Sequence, residues 1–223
     1  TTSQIADVVE IGVPFSDPLA DGLTIQTASA KVLKQGINLC DLFQMVEEVR
    51  DQLQAPIVLM SYLNPLLAFG VAPLSERAES VGISGFIIPD LPEEESAPIR
   101  DVLSTHQLAL IPLITPITPP ERVEALSGKA RGFVYAVTRT GVTGGTSTLS
   151  DSARRCLRTA KRSARVPVLA GFGVRENSQV REISTVADGV IVGSALIECI
   201  DRGDSISNFL TALRPTPVVG GLA

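Results

Sequence analysis

The chain has 223 residues, 44% hydrophobic and 19% charged, a composition that favours one folded domain over a disordered chain. Its formal net charge of -5 argues against general nucleic-acid binding, which needs a basic surface. The three cysteines are widely spaced and the chain has one histidine, so the sequence predicts neither a metal site nor a disulfide framework.

The same features predict the cellular compartment of the chain. No apolar run has the roughly 18 residues that a membrane span needs, so we expect no membrane association. Scattered cysteines suit a reducing compartment, and we therefore expect a cytoplasmic protein. No long linker divides the sequence, so we treat residues 1–223 as a single domain.

Short apolar runs alternate with amphipathic stretches along the whole chain. Continuous apolar runs of this length are typical of parallel strands that are buried on both faces. We predict seven strands, at Ala6–Ile11, Ile57–Ser61, Gly85–Pro89, Ala109–Leu113, Gly132–Val137, Val166–Ala170 and Gly189–Val192.

The stretches between these strands have helical periodicity. In Leu39–Leu53, for example, the apolar residues fall on one stripe of a helix. Pro120 suits the first turn of a helix, and Ser150 suits an N-cap. The predicted helices are Leu39–Leu53, Ser75–Val81, Glu94–Ser104, Pro120–Leu126, Asp151–Ala164, Ser178–Ile183 and Ile206–Leu213.

This alternation predicts a parallel α/β fold, either an open doubly wound sheet or a (β/α) barrel. Eight strands close a barrel, and only seven are predicted here. The sequence begins almost directly with a strand, so we expect the missing βα unit to belong upstream of Thr1.

Carboxylates gather at the end of the first predicted strand. Glu10 interrupts an apolar strand, where an unpaired carboxylate would be costly to bury, so it is either functional or ion-paired. The following loop carries Asp17 and Asp21 between prolines, and its alternative interpretation is a stiff turn capped by Asp17. Loops at the carboxyl ends of parallel strands are where such folds place their chemistry.

Further polar groups follow other strands. Tyr135 lies in an apolar strand, and its hydroxyl needs a partner. The Gly- and Thr-rich segment 138–148 suits a lid over a site, or else an irregular connection. Tyr62 follows the second strand, where it could line a pocket. We interpret Asp90 as a loop-holding residue and His106 as a structural residue at a helix end.

Glycine pairs end the last two strands, at Gly171-Phe172-Gly173 and Gly193-Ser194. Each pair is a weak signal alone, because such glycines are common in turns. Together they predict a phosphate site, since the loops after strands 7 and 8 of a barrel frequently bind phosphate.

The stretch VEIGVPFSDPLADG, from Val9 to Gly22, closely resembles the signature of the tryptophan synthase alpha subunit family. The segments Gly141–Gly144 and Pro89–Pro92 and the terminal glycine pairs resemble the same family. The resemblance runs in register from about Ala6 to about Leu213, nearly the whole chain.

This resemblance implies a (β/α)8 TIM barrel that cleaves indole-3-glycerol phosphate to indole and glyceraldehyde 3-phosphate by a retro-aldol reaction. The glutamate matching Glu10 would act as general acid and base, and the aspartate matching Asp21 would stabilise the positive indole intermediate. Tyr135 and Tyr62 would shape the substrate site, and Thr143 would couple the lid to the Asp21 loop.

The resemblance also implies a phosphate site and a partner. Backbone groups at Gly144, Phe172, Gly173, Gly193 and Ser194 would hold the phosphate. The family implies no cofactor and no metal in this chain, and a beta subunit that carries pyridoxal phosphate in an alpha2beta2 heterotetramer.

Three other functions stay open at this point. The chain could be a weakly active regulatory subunit that binds phosphate ligands and activates the beta subunit, or a stand-alone lyase that releases indole. A sugar-phosphate isomerase barrel would fit the glycine loops but leaves Glu10 and Asp21 unexplained. Leu23 stands where many family members have proline, a mild departure in the catalytic loop.

Overall fold

The computed structural model describes residues 2–138, 149–171 and 173–214. Within these residues, parallel strands alternate with α-helices, as the sequence predicts. The strands are β1 (Val9–Gly12), β2 (Ile57–Met60), β3 (Ile83–Ile87), β4 (Ala109–Ile111), β5 (Leu113–Ile114), β6 (Val134–Val137), β7 (Val168–Gly171) and β8 (Gly189–Ile191).

A strand lies at each of the seven predicted places, and the fourth is divided into β4 and β5 by Pro112. Proline has no backbone N–H to donate to a ladder, so regular pairing stops there. The strand changes partner at this point, since β4 pairs with β3 and β5 pairs with β6. The Pro112 carbonyl still accepts a hydrogen bond from the Tyr135 amide at 3.0 Å.

The ladders therefore form two four-stranded parallel sheets, in the orders β1-β2-β3-β4 and β5-β6-β7-β8. One cluster of apolar side chains joins them. It includes Val58, Ile87 and Phe133, with Val8 from the start of the first sheet and Ile191 from the end of the second packed against it. An open sheet would hold its first and last strands far apart. The shared interior therefore favours the barrel over the doubly wound alternative.

Ten α-helices lie among the described residues. They are α1 (Leu23–Lys34), α2 (Leu39–Val49), α3 (Leu63–Phe69), α4 (Val71–Ser80), α5 (Ala97–Thr105), α6 (Pro120–Lys129), α7 (Asp151–Ser163), α8 (Asn177–Ile183), α9 (Ser194–Asp201) and α10 (Ile206–Leu213). Two further apolar clusters pack these helices onto the strands, one in each half of the chain.

Local sequence explains several helix boundaries. Asn38 and Asp41 form a capping box at the start of α2, and the Ser150 hydroxyl accepts a hydrogen bond from the Ala153 amide at the start of α7. Pro120 is the first residue of α6, as predicted. The sequence analysis missed α1, α3 and α9, three helices that begin soon after a strand or its loop.

Candidate active site

Glu10 faces the barrel interior. In the parallel ladder it lies in register with Val58 of β2, and the Val58 side chain belongs to the interior cluster. Neighbouring residues in register project from the same face of a sheet. Glu10 lies in the first strand, as predicted, although the strand continues to Gly12 and Glu10 is the second of its four residues.

The surroundings of Glu10 change its protonation. The residue as a whole is exposed to solvent, yet many protein atoms surround its carboxyl group. This burial, together with the negative charge of Asp21, raises the pKa of Glu10 to about 7. At neutral pH the carboxyl group is thus divided between its acid and its base form.

Asp21 lies near Glu10 and is held by Tyr62. Burial raises the pKa of Asp21, whereas a hydrogen bond from the Tyr62 hydroxyl opposes that rise by stabilising the carboxylate. The same hydroxyl accepts a hydrogen bond from the Ala20 amide at 2.8 Å. The Tyr62 ring also packs against Phe15, with 5.4 Å between ring centroids. Tyr62 therefore contacts the loop between β1 and α1 at Phe15, Ala20 and Asp21.

Tyr135 completes the cluster of ionisable groups. Burial raises its pKa, and the charges of Glu10 and Asp21 raise it further, so all three groups lie close together. Gly171 of β7 leaves room for the phenol: a Cβ atom there would lie 3.0 Å from Tyr135 Cε1 and 3.1 Å from its hydroxyl oxygen. Any larger residue at position 171 would displace the ring.

Three of the predicted phosphate-binding residues are described by the structure. Gly173 lies after β7, and Gly193 and Ser194 lie after β8. Gly173 has a φ of 65°, in the left-handed region that favours glycine. Gly193 is exposed and precedes Ser194, the first residue of α9. The first amides of a helix lack intrahelical acceptors, and the helix dipole favours an anion there.

Three predicted residues, Thr143, Gly144 and Phe172, lie outside the described residues. Residues on either side of the segment 139–148 are well anchored. The Thr138 hydroxyl donates to the Gly171 carbonyl at 2.9 Å, and the Leu149 amide donates to Glu182 Oε1 at 3.1 Å. The residue before this segment is therefore held against β7, and the residue after it is held against α8.

Two residues interpreted as structural are confirmed in that role. The Asp90 carboxylate accepts a hydrogen bond at 2.9 Å from the Leu63 amide, at the start of α3. His106 ends α5, and its Nδ1 atom lies 2.7 Å from Glu79 Oε2. The Asp90 charge also raises the pKa of Tyr62, so Asp90 lies close enough to act on the residue that holds Asp21.

Two searches of the described residues were negative. They contain no group of three or more His, Cys, Asp or Glu side chains arranged to hold a metal ion. None of their helices is both long enough and apolar enough to cross a membrane.

The sequence analysis did not anticipate that Tyr62 anchors the loop. Its partners Ala20 and Asp21 are about 40 residues away in sequence, and the Ala20 partner is a backbone N–H donor, which every residue type except proline carries. The only signal was the position of a tyrosine directly after a strand.

Comparison with known proteins identifies the family. The family model described as tryptophan synthase alpha chain matches residues 2–215. The tryptophan synthase alpha chain of Bacillus mycoides is 45% identical over 213 residues, which cover 95% of this chain and 83% of that protein.

Solved structures agree. A mutant tryptophan synthase alpha-subunit from Pyrococcus furiosus superposes with a TM-score of 0.86 at 34% identity, covering 95% of this chain and 88% of that one. Tryptophan synthase from M. tuberculosis superposes with a TM-score of 0.80 at 33% identity, covering 93% and 79%. This chain therefore belongs to the tryptophan synthase alpha chain family, lyases that cleave indole-3-glycerol phosphate in tryptophan biosynthesis.

Proposed function

We propose that Glu10 and Asp21 carry out the cleavage of indole-3-glycerol phosphate in this chain. The observation that carries the proposal is the inward-facing Glu10 carboxyl group, with a pKa of about 7 beside Asp21. A general acid and base works best when its pKa lies near the operating pH, because both forms are then available. Two neighbouring carboxylates with different surroundings can take different roles.

In the proposed mechanism, protonated Glu10 donates its proton to carbon 3 of the indole ring, and the ring nitrogen becomes part of a cationic iminium group. The Asp21 carboxylate stabilises that cation and accepts a hydrogen bond from the ring N–H. Deprotonated Glu10 then removes the proton of the adjacent glycerol hydroxyl. The carbon–carbon bond breaks, its electrons restore the indole ring, and the hydroxyl carbon becomes the aldehyde of glyceraldehyde 3-phosphate.

The remaining site residues bind and orient the substrate in this proposal. Gly173, Gly193 and Ser194 would hold the phosphate with backbone amides, together with Gly144 and Phe172. Binding energy from this remote group positions the reacting bond over Glu10. Tyr135, Tyr62 and Thr143 would border the substrate; in the structure, Tyr62 also holds the Asp21 loop.

We further propose that a tryptophan synthase beta subunit docks on the catalytic face, and that pyridoxal phosphate is carried by that subunit rather than by this chain. Two loops on this face present apolar side chains to solvent: Leu19 is 90% exposed and Ile117 is 80% exposed. Exposed apolar groups on functional loops are typical of protein interaction sites.

Indole release from indole-3-glycerol phosphate tests the proposal, measured with the chain alone and with a beta subunit added. We expect activity that rises with the beta subunit. Glu10→Gln should reduce indole release by at least about a thousandfold, because the variant has no exchangeable carboxyl proton. The same variant should still bind the beta subunit and stimulate its conversion of indole to tryptophan.

A folded wild-type chain that stimulates the beta subunit without releasing indole would refute the catalytic role and leave a regulatory subunit. Full activity in Glu10→Gln would show that another group transfers the proton. Indole release that is indifferent to the beta subunit would instead indicate a stand-alone lyase.

A further inference from the structure

One carboxylate joins three segments of the catalytic face. Glu198 of α9 forms a two-point ion pair with Arg175, with Nη1–Oε2 at 2.6 Å and Nη2–Oε1 at 2.8 Å. The Thr24 hydroxyl at the start of α1 donates to Glu198 Oε1 at 3.3 Å. Two-point arginine–carboxylate pairs fix orientation as well as distance.

Each of these residues is close in sequence to a residue of the site. Arg175 comes two positions after Gly173, and Glu198 comes one helical turn after Ser194. Thr24 comes three positions after Asp21. The Glu198 carboxylate therefore links both phosphate-binding loops to the end of the loop that carries Asp21.

Polar contacts contribute to the position of helix α1. It has no fully buried residue along its 12 positions, and α9 is its main packing neighbour. Its inner face, at Ile25, Ala28 and Val32, is only half-buried and gains less from the hydrophobic effect than a buried face would, so polar side-chain contacts matter more for its placement. Two such contacts join α1 to α9: Thr24–Glu198 near the catalytic face, and the Lys31–Asp201 ion pair at the other end of both helices.

We propose that Glu198 is a positioning residue that couples phosphate binding after β7 and β8 to the placement of Asp21. The proposal rests on the function proposed above. By binding both Arg175 and Thr24, Glu198 holds the Asp21 loop at a fixed position relative to the phosphate loops. A substrate bound by its phosphate then meets Asp21 at the correct distance from the indole ring. Arg175 also neutralises the Glu198 charge, which would otherwise repel the phosphate.

The kinetic test compares Glu198→Ala with Asp201→Asn. Both variants remove a polar link between α1 and α9, but only the first removes the link to the phosphate loops. We expect Glu198→Ala to lower kcat about tenfold, with a smaller effect on KM, because a misplaced catalytic group loses rate rather than binding. Asp201→Asn should retain wild-type kinetics. Arg175→Gln breaks the same ion pair from the other side and should reproduce the loss.

A second readout does not depend on activity. Inorganic phosphate should protect the backbone amides of α1 from hydrogen exchange in the wild-type chain and in Asp201→Asn, but not in Glu198→Ala or Arg175→Gln. Equal losses of kcat and of amide protection in Glu198→Ala and Asp201→Asn would overturn the proposal and indicate that Glu198 only helps to pack the two helices. So would unchanged kcat and protection in Glu198→Ala. A wild-type chain with this protection but no lyase activity would refute the proposed function and leave the coupling standing.

Discussion

Glu10 and Asp21 show how two carboxylates of one site come to differ. Glu10 lies on a strand and faces the barrel interior, where protein atoms replace water. Asp21 lies on a loop and accepts a hydrogen bond from Tyr62, which stabilises its charge. Burial on the strand thus favours the protonated form of Glu10, whereas the hydrogen bond from the tyrosine favours the ionised form of Asp21.

Neutralising Asp21 should therefore change Glu10. The negative charge of Asp21 contributes to the raised pKa of Glu10, although burial contributes more. We expect Asp21→Asn to lower the pKa of Glu10 from about 7, while leaving it above the ordinary value of 4.5.

Carbon-13 NMR titration of the glutamate side-chain carboxyls, with Glu10→Gln to assign the signal, measures this change directly. Asp17→Asn on the same loop is the matched control and should leave the titration unaltered. A Glu10 pKa that stays at its wild-type value in Asp21→Asn would show that burial acts alone.

At this scale, the sequence predicted the residues better than their contacts. Glu10 was recognisable because a carboxylate in an apolar strand is costly without a reason. The Tyr62 contact with Ala20 spans 42 residues and involves a backbone amide, so no pattern of residue types indicates it. The ion pair of Arg175 with Glu198 was missed because its partners are 23 residues apart and the chain has many other charged side chains with which either could pair.

Among the elements, α6 and α7 pack closely and bury a hydroxyl group without a partner. Within the part of the chain that the structure describes, the Ser127 Oγ atom of α6 is fully buried and accepts or donates no hydrogen bond. A buried polar group without a partner is destabilising, because it has lost its bonds to water.

Ser127→Ala should accordingly stabilise the protein by about 1 kcal/mol, measured as the free energy of urea-induced unfolding. Ser75→Ala is the matched control, since Ser75 is equally buried in α4 but its hydroxyl donates to the Val71 carbonyl at 2.7 Å. That variant should gain no stability. A loss of stability in Ser127→Ala would show that its hydroxyl is satisfied in solution.

The helices that were predicted and those that were missed differ in local signals. Helix α2 has a capping box and an apolar stripe that is buried in the structure. Helix α1 follows Gly22, which provides no side-chain cap, and none of its residues is buried. Helix α3 has seven residues and includes Pro65, a residue that usually disfavours a helix. Proline is tolerated there because the first turn of a helix needs no N–H donor at that position.

For the molecule as a whole, the raised pKa of Glu10 makes the stability of the fold depend on pH. A carboxyl group whose pKa is raised by folding stabilises the native state below its unfolded pKa of 4.5, and that contribution is lost as the pH rises through about 7. Above pH 7, the fold must hold an ionised Glu10 inside the barrel.

Glu10→Gln should therefore be more stable than the wild-type chain at pH 8. We expect a difference of only about 1 kcal/mol, because Glu10 is exposed and water screens part of its charge. At pH 4 the two should unfold at nearly the same urea concentration. A stability difference that is the same at both pH values would contradict the ionisation of Glu10 as its cause.

The parallel α/β architecture was predictable from the rhythm of apolar runs, because strands that are buried on both faces leave a clear pattern. The choice between barrel and open sheet did not follow from this pattern, since it depends on contacts between the first and last strands, and only the resemblance to the family predicted the barrel. Val8 and Ile191 are far apart in sequence, and only the folded chain places them in one cluster.

The division of the sheet at Pro112 separates the residues proposed for bond cleavage from those proposed for phosphate binding. The strands before it carry Glu10 and the Asp21 loop, and the strands after it carry Gly173 and Gly193. A substrate held at both ends acts as a reversible cross-link between two halves whose backbone ladders are separate. At a concentration one hundred times its Kd, such a ligand would raise the free energy of unfolding of the chain by about 2.7 kcal/mol. In this proposal, the resistance of the fold to unfolding is greatest while the substrate is bound.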